Sequence, residues 1–308
     1  MEENNINLNS YLFEVLDASE KNSEFVAIES KTYLQDAWQR FKKNKLALSG
    51  FIFLVILILM AIIVPIVSPY TYDGQDYTVR NVLPNMQHWM GTDKLGRDIF
   101  VRVMYGCRIS LTIGFVASFL NLIIGVFVGG ICGYFGGKLD LIVMRITDCL
   151  YSIPDILYVI LIMLMFGSNI FSVLIGISIA SWIGMARQVR SQILSLKEQE
   201  FSLAAYVIGA SQWRIIFKHL IINCMGPIIV AATMMIPSAI FTEAFLSFIG
   251  IGISAPMASL GSLASEARGL LQNHPVQIIW PVTTLCLTIL SLNFIGDGMG
   301  EALDPKKK

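Results

Sequence analysis

The run LALSGFIFLVILILMAIIVPIVS, Leu46–Ser68, places 23 residues in a row without a single charge. A helix of that length covers more than about 30 Å, the thickness of a lipid hydrocarbon layer, and this one is too uniformly apolar for one face to meet water. Further runs follow it. Ile109–Tyr134 reads as a second span, rich in glycine toward its end, and Cys149–Gly167 as a third that begins nearer Asp140. Ile170–Ala186 is a short fourth, joined to the third by a tight hairpin, with Ile221–Phe248 and Val276–Ile295 as fifth and sixth. The composition agrees: 55% of the 308 residues are hydrophobic and 14% are charged. An all-α integral membrane protein with six transmembrane helices is expected.

Several classes drop out at once. Formal net charge is zero, which gives no attraction for nucleic acid. The five cysteines form no CxxC pair, and His88, His219 and His274 are too isolated for a zinc site, so no metal site is expected. The first 45 residues hold eight acids and no apolar run. That is not an ordinary cleavable signal peptide, and the first span is expected to stay as an anchor.

Lysine and arginine set the orientation. With the N-terminus inside, the inner segments carry 16 of the 22 basic residues and the outer ones only Arg80, Lys94, Arg97, Arg102, Arg108 and Arg268. Both termini are then cytoplasmic. Residues 1–45 form a cytoplasmic leader, in which Leu34, Ala37, Trp38 and Phe41 share the apolar face of an amphipathic helix. Residues 46–68 are the first span, 69–108 an extracytoplasmic segment, 109–297 a five-helix core and 298–308 a cytoplasmic tail. Within Arg97–Cys107, Ile99, Phe100, Val103, Met104 and Cys107 share one side and Asp98 and Arg102 the other, which predicts a separate interfacial helix. Gly250–Gln277 is the second outer segment.

Between spans four and five lies a polar insert, EQEFSLAAYVIGASQWRIIFKHL, Glu198–Leu220. Ser202, Ala205 and Gly209 form a strip of small residues, the kind of surface another backbone can approach closely. Gly209 suits a left-handed helix end and Ser211 an N-cap. In the second helix Trp213, Ile216, Phe217 and Leu220 make an apolar face toward the bundle, with Arg214 and Lys218 opposite. A docking surface is the favoured reading, a solvated helical loop the other.

The residues E-F-S-L-A-A-Y-V-I-G-A-S, with Glu200, Ala204, Ala205 and Gly209 at matching spacing, resemble the "EAA" loop of the membrane subunits of bacterial ATP-binding cassette importers. G-T-D-K-L-G-R-D-I-F at Gly91–Phe100, E-A-F-L-S-F-I-G-I-G at Glu243–Gly252 and G-D-G-M-G-E-A-L-D-P-K at Gly296–Lys306 are similar to motifs of the peptide and nickel branch, as is the leader A-W-Q-R-F-K-K-N-K-L-A. Within it the chain looks most like the C-type permeases of oligopeptide importers. One departure is that the loop reads Ile221-Ile222-Asn223, with Pro227 four residues on, where Leu/Ile-Pro-Asn is usual.

The resemblance implies a type I importer permease fold in the bacterial cytoplasmic membrane, with residues 196–222 as the coupling loop. It also implies a second, homologous permease, two cytoplasmic ATP-binding subunits carrying ATP and magnesium, and an extracytoplasmic peptide-binding protein. No cofactor is expected in this chain: G-x-x-x-x-G-K-[ST] is absent, and near Gly136-Gly137-Lys138 the required positions hold Cys132 and Leu139. Glu200, Ala204, Ala205, Gly209, Ser211, Arg214 and Lys218 are the expected coupling residues, and a bulky side chain at Gly209 or Ala205 is expected to uncouple transport.

Polar residues near the spans are candidates for the path or its gate. Asn121, Asp148, Asp155 and Glu243 are chosen, Asp155 because it follows a helix-breaking Pro154. Ser110, Thr112, Ser118 and Asn121 give span two a polar side. Arg145 and Asp148, three apart, form an expected structural pair, and Asp297 and Glu301 are expected to meet basic groups. Dipeptide or nickel transport is the alternative within the family. A gradient-driven secondary transporter is the alternative outside it, disfavoured because the charges cluster at span ends. No nucleophile–base constellation points to an enzyme.

Overall fold

The computed structural model describes residues 32–304, and among them no strand forms, only an isolated bridge between Thr92 and Asp98. The chain opens with α1 (Tyr33–Lys43) and α2 (Lys45–Val67). Thr32 and Gln35 cap α1 reciprocally, and Phe41 is buried with Ala47 and Ala302. Trp38 stays largely exposed, stacked on Phe41. The side chain of Leu34, the first 31 residues and Lys306–Lys308 lie outside the described residues.

Next comes α3 (Ile99–Phe135), 37 residues long. The expected interfacial helix and second span are one continuous helix. Asp98 is its N-cap, accepting from the Val101 N–H at 2.9 Å, and Arg102 is buried instead of facing outward. The reason is charge neutralisation by a distant acid, described below. Helix α6 (Ile170–Lys197) runs against α3 along Gly125, Gly129 and Gly133. A Cβ at Gly129 would sit 2.3 Å from the Ala186 carbonyl oxygen, so the glycines at four-residue spacing exist to let two backbones touch.

The expected third span is broken. α4 (Gly137–Tyr151) and α5 (Asp155–Phe166) meet at 78° across Ser152–Pro154. Proline cannot donate the helical hydrogen bond, and the Leu150 carbonyl accepts instead from the Ile153 N–H at 3.3 Å and the Tyr158 hydroxyl at 3.0 Å. Among the described residues five helices are long and apolar enough to cross a membrane, or six if this bent pair is one span.

After α6 come α7 (Glu200–Val207) and α8 (Gln212–Arg214), which passes through a π-helical stretch, Ile215–Leu220, into α9 (Ile221–Asn223) and then α10 (Met225–Phe248). The chain closes with α11 (Leu260–Arg268), a buried helix within the second outer segment, and α12 (Val276–Leu303), which absorbs the first part of the expected tail. Asn44, before α2, donates to Glu301 on α12 at 2.9 Å. The beginning and end of the described chain therefore lie at one end of the bundle, with α7 and α8, while residues 68–98 and α11 cover the other.

Candidate functional site

The bundle holds a cleft of about 450 Å³ between α3, α5, α6 and α10, within the size range of small-molecule sites. Two sequence-predicted residues line it. Asp155 is the first residue of α5, where the break exposes it and the helix N-terminus favours its charge. Asn121 of α3 is 1% exposed and its Oδ1 has no hydrogen-bond partner in the structure. Sequence reasoning missed the rest of the lining, including Tyr151, Ser181, Gln188 and Thr242, because neutral polar residues spread over three helices give no linear signal.

The other two candidates lie elsewhere. Glu243 is 0% exposed and accepts from the Ser110 hydroxyl at 2.9 Å and the Ser247 hydroxyl at 2.7 Å. It ties α3 to α10 in the packed interior and is no part of the cleft wall. Asp148 also lies off the cleft, and its close partner is not Arg145. The Arg187 Nη2 donates to it at 2.8 Å, whereas Arg145, 77% exposed, reaches it only at 4.0 Å. Arg187 wins because it also stacks on Tyr151. Asp140 and Arg190, unremarked in the sequence, make the stronger tie between α4 and α6, two bonds of 2.5 Å. The polar side of span two divides: Ser110, Ser118 and Asn121 are buried, but Thr112 is exposed and donates to its own helix at Arg108. Glu301 accepts from the neutral Asn44, and Asp297 stands exposed on α12.

The insert folds as two short helices, turned over relative to expectation. Gly209 has φ +83° and ends α7 as anticipated, and Ser211 occupies the N-cap position of α8 but makes no side-chain cap bond. Ser202 and Ala205 are buried against their own bundle, Ala205 in a cluster with Val189, Ile193 and Leu220. Two of the three small residues thus serve this chain's packing, and a bulky residue at Ala205 would disturb the fold itself, whereas Gly209 is exposed with open space around it. What projects is apolar: Leu203, Tyr206, Val207 and Ile208 are exposed, the last two at 82% and 83%. Glu200, Ala204, Arg214 and Lys218 are exposed around them. In α8 and the π stretch, five-residue spacing lines up Ile215 and Leu220 inward with Ile216, and turns Trp213 and Phe217 to the outside, where they stack at 5.9 Å.

At the opposite end, Arg97 and Arg102 converge on two acids. Arg97 bonds Asp93 at 2.6 Å and Glu266 at 2.6 Å, and Arg102 bonds Asp93 at 2.7 Å and Glu266 at 2.9 and 3.0 Å. Burial alone would raise the Glu266 pKa, but the bonds and charges of Arg102 and Arg97 outweigh it and hold the carboxyl below its ordinary value. Beside this node the His88 Nδ1 meets Asp98 at 2.8 Å. No group of three or more histidine, cysteine or acidic side chains among the described residues is placed to hold a metal.

An all-helical bundle with a polar inner cleft and an apolar projection at one end defines a membrane transport component. Residues 125–308 match the family described as binding-protein-dependent transport system inner membrane component, and residues 32–85 match the N-terminal TM domain of oligopeptide transport permease C. The chain is 44% identical to the oligopeptide transport system permease protein OppC of Bacillus subtilis (strain 168), over 97% of this chain and 98% of that one. It is 45% identical to the dipeptide transport system permease protein DppC of the same organism, over 93% and 91%. Among solved structures, an inward facing conformation of the MetNI methionine ABC transporter superposes with a TM-score of 0.54 at 21% identity, covering 66% of this chain and 96% of that one. The chain belongs to the family of binding-protein-dependent transport system inner membrane components, and it has the type I ABC importer permease fold. It is a multi-pass membrane protein and a transport subunit, not a catalytic enzyme.

Proposed function

We propose that this chain is a membrane-spanning subunit of an ATP-driven importer that moves oligopeptides into the cell. The observation that carries the reading is the near-full-length identity to peptide permeases, joined to an apolar projection on α7 that its own fold leaves uncovered. The bent pair α4–α5 counts as one span, which gives six, and both termini face the cytoplasm, in keeping with the positive-inside distribution. The membrane is the bacterial cytoplasmic membrane.

ATP and magnesium belong to two partner subunits, one of which grips Leu203, Tyr206, Val207 and Ile208 with Glu200, Arg214 and Lys218 at the rim. A second, homologous permease closes the open side of the cleft, and an extracytoplasmic binding protein delivers the peptide to the end capped by residues 68–98 and α11. Asn121 and Asp155 face the path. Glu243, inside the packed bundle, holds the helices that form it.

Dipeptide transport is the second reading, favoured by the comparable identity to a dipeptide permease. Uptake of labelled di-, tri- and pentapeptides and of nickel, with and without this chain and with ATP depleted in parallel, tests both. Loss of tri- and pentapeptide uptake without the chain and without ATP is expected. Loss confined to dipeptide or nickel would move the substrate, and uptake that persists without ATP but fails without an ion gradient would sink the mechanism.

A further inference from the structure

The cleft is one-sided in charge. Its lining contains one carboxylate, Asp155, and no lysine, arginine or histidine. Arg187, just past Gly184 on α6, stacks on the ring of Tyr151 at the edge of the cleft, but its charge is matched there by Asp148 at 2.8 Å. The hydrogen-bonding inventory leans the same way. Asn121 brings a buried Oδ1 with no donor, and a buried acceptor without a partner is costly to leave unmet. A carboxylate placed there would face like charge and an acceptor, whereas an ammonium brings three donors and no acceptor. The other polar lining residues, Tyr151, Ser181, Gln188, Ser238 and Thr242, are neutral, and Met185, Met234 and Met235 supply unbranched, deformable walls, which accept side chains of different shape.

From this inventory we infer that the cleft receives the ammonium end of the substrate at Asp155, with Asn121 Oδ1 as second acceptor. A peptide then crosses with its amino terminus against this chain and its carboxylate directed to the other wall of the path. The inference rests on the transport reading, and its test separates the two.

Ser238 is exposed on the cleft wall, and Ser238→Cys changes one atom. In a Cys149→Ser, Cys286→Ser background, which removes the two exposed native thiols, its rate of modification is measured in membranes. The probes are a trimethylammonium and a sulfonate methanethiosulfonate of similar size. The ratio of cationic to anionic rate is expected to fall at least threefold on Asp155→Asn and to recover with Asp155→Glu. Asp155→Ser, another neutral residue suited to a helix start, serves as a second variant should the asparagine fail to accumulate. An unchanged ratio in the neutral variants overturns the assignment, and it needs no transport to be read.

In the complete importer, Asp155→Asn is expected to lower trialanine uptake about tenfold while Asp155→Glu retains most of it. Wild-type uptake with an equal rate in Asp155→Asn would overturn the ammonium site and leave the importer standing. A shifted thiol ratio in a chain that supports no peptide uptake at all would do the reverse.

Discussion

Two segments leave the helical bundle, one at each end, and they handle their side chains in opposite ways. Residues 68–98 fold back as a cap whose charges are matched at home: Asp93, Arg97, Arg102 and Glu266 neutralise one another in a buried node. Residues 198–223 send Ser202 and Ala205 inward and leave Tyr206, Val207 and Ile208 in the open. A polar group satisfied within the chain marks a part that holds itself together. An apolar group left uncovered away from the lipid-facing spans marks a part finished by another protein. The cap is the richer in charge and closes its charged node, yet it too leaves Leu83, Met86 and Trp89 exposed, so the two ends differ in how they treat charge rather than in apolar completeness.

The comparison predicts a graded series of stability effects. Arg102→Ala leaves Glu266 and Asp93 to share Arg97 alone beside a cavity and is expected to cost about 3 kcal/mol, the low end for breaking a buried pair. A thermal melt in detergent reads it, and a loss under 1 kcal/mol would mean the node is ornamental. The same node carries a pH signature. Because the folded Glu266 pKa lies below its unfolded value, its contribution is complete at neutral pH. It disappears as pH falls from the ordinary glutamate range near about 4.3 through the lower folded value. Glu266→Gln should flatten that part of the stability–pH curve.

Next in size is Gly96→Ala. Gly96 has φ +76°, and an added Cβ would lie 1.7 Å from the Asp76 carbonyl oxygen, so strain and clash together should cost more than about 2 kcal/mol. Val207→Asp comes after it, with stability changed by no more than about 0.5 kcal/mol, as for an ordinary surface site. Copurification of the ATP-binding subunits and peptide uptake should nevertheless fall at least tenfold. If Val207→Asp instead unfolds the chain, the projection belongs to its own core and the comparison collapses. Smallest of all, Arg145→Ala should leave the melt within about 0.3 kcal/mol, since its exposed contact with Asp148 is long.

The spans were legible wherever one stretch of sequence contained its own reason for being helical. Leu46–Ser68 needed only its length and apolarity. Pro154 announced the break between α4 and α5, and Gly209 the end of α7. Legibility failed where the reason lay far away in the chain. Arg102 reads as a surface charge because the Glu266 that neutralises it is 164 residues distant, so α3 was cut in two. Asp148 was given the neighbour in sequence, Arg145, when the neighbour in space is Arg187. The orientation of α7 was misjudged for another reason: a strip of small residues invites a close neighbour without saying which, and the neighbour that Ser202 and Ala205 meet is their own bundle. Asn121 and Asp155 were found because each is polar within an apolar run, whereas Glu243, polar for the same reason, is consumed by two serines.

The glycine contact between α3 and α6 fixes how far a small movement travels. With backbones touching at Gly125, Gly129 and Gly133, the two helices have no side-chain layer to shear and must tilt as one plank. The 28 residues of α6 make it about 42 Å long, so a tilt of roughly 5° about the end that carries α7 sweeps the other end through about 4 Å. A rotation of a few degrees, imposed where α7 is gripped, therefore arrives at the far end of α6 as about the width of a water molecule and a half.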